Sequence, residues 1–366
     1  MDMYYAYLLI WGVTALLSAT LVRICISLAP RLGFVDIPEH EAHKRHKRST
    51  PVMGGIGMML AWLLVLCAGI VAAFCLPAAT VRSLFGEWLC DMLPGIRAVA
   101  SQLRIIVAGT VLLTLLGAVD DKMPLRAWQK FLGQLLVALI TAMLGLRISF
   151  LHFIPGANTA FTVLWFLMLM NAINFFDNMD GLACGASIIA SIFFLVVAAI
   201  RGQFFVALLA SITAGAASGF AVYNAPPARI FMGDAGSHFL AYLLAIQGIL
   251  TTFYIPGESP TPAPLVIPLF LLAVPLFDAI AVVLIRLRLH KPIYVGDNRH
   301  ISHRFEALGL TRKQAVMLVL LLCLAVGCAG LSLLWLPPSG IALVALQTIA
   351  IFTLISIIQF YVKKDV

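Results

Sequence analysis

Apolar runs of about 20 residues recur from one end of the chain to the other, separated by short polar stretches. The runs are continuous, which predicts membrane-crossing helices and excludes the short alternating strands of a β-barrel. Lipid cannot hydrogen-bond open backbone, so a helical bundle follows. The predicted spans cover residues 4–27, 52–76, 100–119, 128–145, 160–176, 182–200, 204–222, 236–254, 264–287, 314–335 and 341–362.

The predicted fold class is therefore an all-α polytopic membrane protein with about eleven transmembrane helices. No long soluble insertion and no internal repeat interrupts the spans, so residues 1–366 are expected to form a single integral membrane domain. Composition agrees, because 62% of the residues are hydrophobic and only 11% are charged. No soluble domain of this size has such a composition.

Basic residues fall unevenly on the two sides of the predicted bundle. Five of the 24 Lys and Arg residues lie on one side, and the others lie in the alternate connections and the C-terminal tail. Cytoplasmic loops carry the excess of Lys and Arg, so we expect the N-terminus outside and the C-terminus in the cytoplasm. The first run lacks the basic start of a cleaved signal peptide and is expected to remain as a span.

A polar stretch, NAINFFDNMDGLACG, separates two of the long apolar runs. It places polar side chains at three-residue intervals, at Asn171, Asn174, Asp177 and Asp180. Carboxylates at membrane depth are costly and indicate function by default. The alternative is a helix end wetted by the membrane interface. Neighbouring pairs can share a helix face but all four cannot, and Gly181 favours unwinding at that point.

Two glycine-bearing stretches lie on the same predicted side. PVMGG at 51–55 follows a basic run at 43–48, which by itself is typical of contact with anionic lipid. Its glycine pair permits close backbone approach to a helix or a ligand. In YNAPPARIFMGDAGS, at 223–237, the two prolines exclude a helix and two glycines leave Asp234 open to a large ligand. Ser237 is expected at the start of the next helix, where phosphate binds.

Two further motifs carry charge. GAVDD ends with Asp120 and Asp121, which point about 100° apart on a helix, so that one can face a metal or nucleophile while the other orients a neighbour. The alternative is an ordinary charged helix end, although Lys130 follows nine residues later. DNRHISHR, at 297–304, has His300 and His303 at metal-binding spacing, but its arginines favour phosphate.

This chemistry suits phosphoryl transfer. Carboxylate and amide oxygens are typical ligands of Mg²⁺, with Mn²⁺ as the alternative, and Mg²⁺ usually binds through one or two carboxylates plus substrate phosphates. Arg, Lys and a metal can together hold a transferring phosphoryl group. The chain has no Walker A motif, serine nucleophile elbow or paired zinc motif. The nucleophile therefore need not be a protein side chain, and a phosphate carried by a lipid is one alternative.

The order PVMGG, GAVDD, NAINFFDNMDGLACG, YNAPPARIFMGDAGS and DNRHISHR resembles the polyprenyl-phosphate N-acetylhexosamine-1-phosphate transferases, over about residues 30–315. The resemblance implies a multi-span, Mg²⁺-dependent enzyme of the cytoplasmic (inner) membrane with its active site facing the cytoplasm. Such an enzyme transfers a HexNAc 1-phosphate, here GlcNAc 1-phosphate, from a UDP-sugar to undecaprenyl phosphate, releasing UMP, for cell-envelope polysaccharide and lipopolysaccharide synthesis. The implied partners are UDP-HexNAc, polyprenyl phosphate and the bilayer, with no nucleic acid and with a homodimer left open.

The resemblance also implies roles for individual residues. The implied magnesium ligands are Asp234 and Asn174. The pair expected to handle the lipid phosphate is Asp120 and Asp121, and Lys130 is expected to contact phosphate. The implied catalytic and nucleotide-side wall comprises Asp177, Asp180, Asn224 and Phe231. The residues expected to recognise diphosphate or sugar are Arg299, His300 and His303.

The chain departs from the family in two places. Asn178 stands where the family commonly has Gly, and His300 to Arg304 reads HISHR where the muramoyl-pentapeptide branch has three consecutive histidines. The second departure favours the GlcNAc branch. The alternatives are the muramoyl-pentapeptide transferase of the same family and a carboxylate-based membrane transporter. Transporters often show inverted repeats and a midplane site, which this sequence does not indicate.

Overall fold

The computed structural model describes residues 3–36, 49–148, 154, 156–292 and 299–361. Parts of the sequence discussed above lie outside these ranges: the basic run at 43–48, Asp297 and Asn298 of the DNRHISHR motif, and the C-terminal tail from residue 362.

The described chain is almost entirely helical. The first part comprises α1 (Met3–Leu32), β1 (Val35–Asp36), β2 (Thr50–Pro51), α2 (Gly54–Phe74), α3 (Ala78–Phe85), α4 (Glu87–Ala98), α5 (Ala100–Lys122) and α6 (Ala127–Met143). The middle comprises α7 (Ala157–Phe176), α8 (Leu182–Ile200), α9 (Phe204–Asn224) and α10 (Gly233–Leu250). The last part comprises a 3-10 turn (Ala263–Val266), α11 (Ile267–Leu271), α12 (Ala273–Arg288), α13 (Ile301–Ala307), α14 (Arg312–Ser332) and α15 (Pro338–Tyr361).

Every predicted span coincides with a helix or, for 264–287, with a bent pair of helices. Within the described ranges, eight helices are long and apolar enough to cross a membrane, and the pair around Leu272, bent by 69°, makes a ninth. Two predicted spans remain. The span at 128–145 corresponds to α6, which has 17 residues, and the span at 236–254 corresponds to α10, which carries several polar side chains in its 18 residues. The all-α polytopic membrane class is confirmed, while the count of eleven and the orientation stay predictions.

Helix α10 lies at the centre of the bundle and packs against α2, α5, α7 and α8. Its residues from Ala235 to Gln247 are all buried. Aromatic contacts hold it on two sides, because Phe239 meets Trp62 edge to face with ring centroids 6.2 Å apart and Tyr242 stacks on Phe166 at 5.2 Å. The helix that carries Asp234 is therefore fixed by protein along most of its length.

Helices α1 and α9 pack closely because small residues line their contact. A Cβ added at Gly219 would lie 2.2 Å from the carbonyl oxygen of Ala15, so only glycine fits there. Ser18 Oγ donates across the contact to the Ala216 carbonyl (2.6 Å), and Ser211 Oγ donates to the Tyr7 carbonyl (2.6 Å). Small residues and hydroxyl bonds are the usual means by which helices associate in lipid.

Candidate active site

The polar motifs converge at one end of the bundle. The C-terminal ends of α5 and α7, the first turns of α6 and α10, and the turn between α7 and α8 all meet there. Five of the predicted residues are brought together directly by hydrogen bonds or ion pairs. These are Asp120, Asp121, Lys130, Asn174 and Asp234.

Lys130 and Asp234 form the central pair of this cluster. Lys130 Nζ bonds to Asp234 Oδ2 and lies 3.2 Å from Asp120 Oδ2. Asn174 Nδ2 donates to the other Asp234 oxygen at 2.6 Å. The side chains of Lys130, Asp120 and Asp234 are 19%, 14% and 24% exposed, so the pairs are shielded but accessible from one side. A substrate phosphate that contacts Lys130 would have to share it with two carboxylates.

Asp121 points away from its neighbour, as the 100° spacing predicts. Its two oxygens accept the backbone N–H groups of Asp234 (2.6 Å) and Ala235 (3.0 Å), at the start of α10. These N–H groups have no partner inside the helix, and a negative charge suits the positive end of the helix dipole. Asp121 therefore caps α10 from a different helix and places Asp234.

Glycines allow this cap to form. Gly233 has φ +68°, and a Cβ there would lie 2.4 Å from Asp121 Oδ2. A Cβ at Gly117 would lie 2.4 Å from the Asp234 carbonyl oxygen. Both positions therefore require glycine, one for its backbone conformation as well as its size.

The PVMGG segment meets the same helix start through its backbone. Phe231 N donates to the Pro51 carbonyl (2.9 Å), Gly54 N donates to the Phe231 carbonyl (3.0 Å), and Gly55 N donates to the Met232 carbonyl (3.0 Å). A Cβ at Gly55 would lie 2.1 Å from the backbone nitrogen of Gly236. The close approach predicted for the glycine pair is confirmed, and its partner is α10. Phe231 is half-buried beside this junction.

The turn between α7 and α8 unwinds where Gly181 predicted it. Gly181 has φ +76°, and its N–H donates to Asn224 Oδ1 at 2.9 Å. Asn224 is buried and donates in turn to the Ile230 carbonyl (3.0 Å). Asp180 Oδ2 accepts the Ala228 N–H (2.9 Å). Asn224 and Asp180 therefore hold the turn against the 225–232 loop, and their contact with substrate stays a prediction.

Asp177 differs from the other carboxylates of the site because its side chain makes no hydrogen bond or ion pair among the described residues. Burial, and after it the negative charges of Asp121 and Asp180, raise the pKa of the Asp177 carboxyl to about 7. Asp177 is thus a carboxylate that lacks a positive partner within the described protein.

The HISHR segment reaches the site through α13. His300 Nδ1 lies 2.7 Å from Asp278 Oδ2, and Asp278 Oδ1 accepts the Ile301 N–H at 2.7 Å. Ser302 Oγ donates to Asn178 Oδ1 (2.6 Å), which joins α13 to the α7–α8 turn. Asn178, which replaces the family's usual Gly, therefore has a structural partner of its own.

The two histidines do not form a shared metal site. Their ring centroids lie 6.5 Å apart, and His303 Nδ1 faces Glu306 at 3.5 Å. Burial lowers the pKa of His303, which favours its neutral form, although Glu306 acts in the opposite direction. Arg304 Nε donates to the Arg299 carbonyl (2.9 Å), and Arg299 begins this described segment. Direct contact of Arg299, His300 or His303 with diphosphate or sugar stays a prediction.

One sequence expectation at the site is wrong. The helix expected to start near Ser237 starts at Gly233, because Asp121 caps it one turn earlier. Ser237 is fully buried, and its Oγ accepts from Asn174 Nδ2 at 3.0 Å. It is therefore not an open phosphate site at a helix end.

Sequence reasoning missed three polar residues near the site. Asp278 is 1% exposed, Gln134 is 1% exposed and His238 is fully buried. Each stands inside an apolar run, and an ionisable or strongly polar residue at membrane depth is itself a signal of function. That signal was present in the sequence, but the hydrogen-bond partners of these three residues depend on how the helices pack.

Comparison with known proteins shows which family the chain belongs to. The family model described as "Glycosyl transferase family 4" matches residues 103–252, which hold the α5 and α10 ends of the site. A probable undecaprenyl-phosphate N-acetylglucosaminyl 1-phosphate transferase of Bacillus subtilis is 31% identical over 320 residues, which cover 85% of this chain and 80% of the relative.

The chain belongs to glycosyl transferase family 4. Two other relatives show its breadth. A decaprenyl-phosphate N-acetylglucosaminephosphotransferase of Mycobacterium leprae is 27% identical over 92% of this chain and 86% of its own length. A phospho-N-acetylmuramoyl-pentapeptide-transferase of Geobacillus kaustophilus is 33% identical over 67% of this chain and 75% of its own length. Family membership makes the protein a transferase and removes the transporter alternative.

Proposed function

We propose that the protein transfers GlcNAc 1-phosphate from UDP-GlcNAc to undecaprenyl phosphate and releases UMP. An oxygen of the lipid phosphate attacks the phosphorus that bears the sugar, and the bond from that phosphorus to the bridging oxygen breaks. The product is a lipid-linked diphosphosugar for cell-envelope polysaccharide synthesis. The observation that carries the proposal is the cluster of Lys130 with Asp120, Asp121, Asn174 and Asp234 at one end of a membrane bundle.

The residues present fit a magnesium ion. The Asp177 side chain makes no hydrogen bond or ion pair among the described residues, so its oxygens are open to a cation. Within the described ranges no group of three or more His, Cys, Asp or Glu side chains is arranged as a complete metal site. This agrees with Mg²⁺, which usually binds through one or two carboxylates and takes its other ligands from water and substrate phosphates. Asp177 and Asp234, with Asn174, would hold it, and when bound it would act as a Lewis acid toward the diphosphate.

The protein's own groups position the reactants. Lys130 supplies the positive charge that a phosphate oxygen would meet between Asp120 and Asp234. A lipid phosphate is already largely ionised near neutral pH, so Asp120 has little proton transfer to perform. Asp121 fixes α10, and Asp278 fixes His300 at the edge of the site. Recognition of the uridine and sugar is assigned to Phe231, Arg299 and His303, by position.

The cytoplasmic membrane is the proposed location, with eleven spans, the N-terminus outside and the site facing the cytoplasm. The distribution of Lys and Arg supports this orientation, because the site lies at the same end as the more basic connections. UDP-sugars are made in the cytoplasm, so this orientation also gives the site access to them. A homodimer is left open.

The test is a transfer assay with purified protein, Mg²⁺, UDP-GlcNAc and undecaprenyl phosphate. We expect UMP release that requires both the lipid and the divalent cation. Absence of UMP release with every UDP-HexNAc tried would reject the proposal.

The muramoyl-pentapeptide relatives supply a second candidate within the family. They match a shorter part of this chain than the GlcNAc relatives do, and HISHR differs from the three-histidine run. A panel that includes UDP-GlcNAc, UDP-GalNAc and UDP-MurNAc-pentapeptide separates the two. Preference for the pentapeptide substrate would replace the GlcNAc assignment.

A further inference from the structure

A buried polar chain lies one helical turn deeper in the bundle than the Lys130–Asp234 pair. Asn171 Nδ2 donates to Gln134 Oε1 at 3.2 Å. Gln134 Nε2 lies 2.7 Å from His238 Nε2, and His238 Nδ1 lies 2.5 Å from the Asp234 carbonyl oxygen. Gln134 and His238 are 1% and 0% exposed, so the bond between them is closed to solvent, and Asn171 is half-buried.

Two backbone carbonyls at the ends of the chain determine its direction. Asn171 Nδ2 also donates to the Leu167 carbonyl at 2.8 Å, which fixes the amide orientation of Asn171. Gln134 must then accept through Oε1 and donate through Nε2. His238 accepts at Nε2 and donates its Nδ1 proton to the Asp234 carbonyl, which is the pattern of a neutral imidazole. The three hydrogen bonds therefore have one consistent direction, from Asn171 through Gln134 and His238 to the Asp234 carbonyl.

Each member of the chain also stands beside one member of the cluster above it. Gln134 follows Lys130 by four residues on α6, and His238 follows Asp234 by four on α10. Asn171 precedes Asn174 by three on α7. Residues three or four apart are neighbours on a helix face. The chain therefore ties α6, α7 and α10 together directly beneath three members of the cluster, Lys130, Asn174 and Asp234.

We propose that Asn171, Gln134 and His238 are positioning residues that set where Lys130, Asn174 and Asp234 stand for the transfer. The inference rests on the proposed function. A directional hydrogen-bonded network favours one arrangement of the helices, whereas apolar side chains at the same places would allow the helices to shift. A displacement of about 1 Å of catalytic groups costs on the order of 100-fold in rate.

The test compares Gln134→Met with Thr141→Val. Methionine keeps the length of Gln134 but neither donates nor accepts. Thr141 also lies on α6 and is 1% exposed, and its Oγ1 pairs with Tyr242 OH on α10 at 3.1 Å, two turns further from the site. Both variants therefore remove an α6–α10 hydrogen bond, but only Gln134→Met removes one next to the cluster.

We expect Gln134→Met to lower kcat by roughly 10- to 100-fold with KM for UDP-GlcNAc changed less than about twofold, since the binding groups remain. Thr141→Val should lose similar thermal stability in detergent and keep kcat within about twofold. Equal kcat for the two variants at equal loss of stability would overturn the proposal. A fall in kcat/KM due to KM alone would also overturn it.

A second variant removes the Gln134–His238 hydrogen bond by a change on α10 instead of α6. His238→Asn retains an amide donor for the Asp234 carbonyl but is too short to reach Gln134. If one network is involved, the Gln134→Met/His238→Asn double variant should be no slower than the slower single variant, whereas independent sites would multiply their effects. His238→Asn alone carries the test if Gln134→Met fails to fold. Wild-type protein that releases no UMP would reject the proposed function, whereas active wild type with unaffected variants would reject only the positioning network.

Discussion

Helices α10 and α15 are both apolar, yet they occupy opposite environments. All residues of α10 from Ala235 to Gln247 are buried by neighbouring helices. Helix α15 packs mainly on α14, and almost none of its most apolar window is buried within the protein. By length and composition α15 is an obvious membrane span, whereas α10 does not qualify as one.

The comparison shows what hydropathy measures in such a bundle. A helix that faces lipid must be apolar all round, as α15 is. The helix that carries the site instead contains Asp234, His238 and Gln247, together with glycines that let other helices approach. The helix that carries Asp234 is therefore not recognisable as a span by length and hydropathy alone.

The largest expected effect is from Asp234→Asn at the start of α10. It removes the charge that pairs with Lys130 and the oxygen proposed to bind the cation. We expect UMP release to fall by at least about 10³-fold with little change in the thermal midpoint, since asparagine still accepts from Asn174. The control is Asp91→Asn. Asp91 is exposed on α4, which lies beyond the end of α5 that is opposite the site, so this variant should retain full activity. Activity of Asp234→Asn within tenfold of wild type would contradict a catalytic role.

The next effect concerns how closely α2 approaches α10. In Gly55→Ala the new Cβ would meet Gly236 backbone, so the helices must separate. We expect a loss of about 1–3 kcal/mol in the free energy of unfolding and roughly a 100-fold loss of turnover as Asp234 moves. Gly69→Ala lies on the same helix with nothing within 4 Å of its Cβ and should be neutral. Equal stability of the two variants would show that the approach does not constrain α10.

A smaller effect is expected beside α10, at the turn between α7 and α8. Asp177 has no partner in the described protein, whereas Asp180 accepts the Ala228 N–H. Asp177→Asn should therefore raise the Mg²⁺ concentration for half-maximal activity by about 10-fold or more. Asp180→Asn keeps an acceptor oxygen for the Ala228 N–H and should change this Mg²⁺ concentration less. The measurement is a Mg²⁺ titration of UMP release, and an unchanged midpoint for Asp177→Asn would remove Asp177 from the cation site.

The smallest effect is expected on α15. Leu346 is 64% exposed, and Leu346→Ala should change the free energy of unfolding by less than about 0.5 kcal/mol and leave activity unchanged. Leu243→Ala, fully buried on α10, should cost about 2–5 kcal/mol. Thermal unfolding in the same detergent gives both values. A large cost at Leu346 would mean that α15 has a protein partner.

The positions of the helices were predictable because each apolar run has the length of a span. The break at Gly181 and the separate directions of Asp120 and Asp121 were also predictable, since both follow from local geometry. The bend at Leu272 was not anticipated. Pro275 lies in the first turn of α12, where proline is tolerated, and this is compatible with a helix that begins just after the bend.

The partners of the polar residues were less predictable. Asp278 and His300 lie 22 residues apart and meet only because α13 folds back on α12. Gln134 and His238 lie 104 residues apart. The start of α10 was misplaced for the same reason, since its cap comes from α5. Contacts of this kind depend on the register between helices, which no local pattern specifies.

The hydrogen bonds Phe231 N–Pro51 O, Gly54 N–Phe231 O and Gly55 N–Met232 O all join main-chain atoms. Any residue other than proline brings the same N–H and carbonyl groups, so this junction can survive sequence drift as long as the two glycines stay small. Residues 50–53 should therefore be exchangeable with those of a distant homologue, and they offer a crossover point for building chimeric enzymes from members of the family.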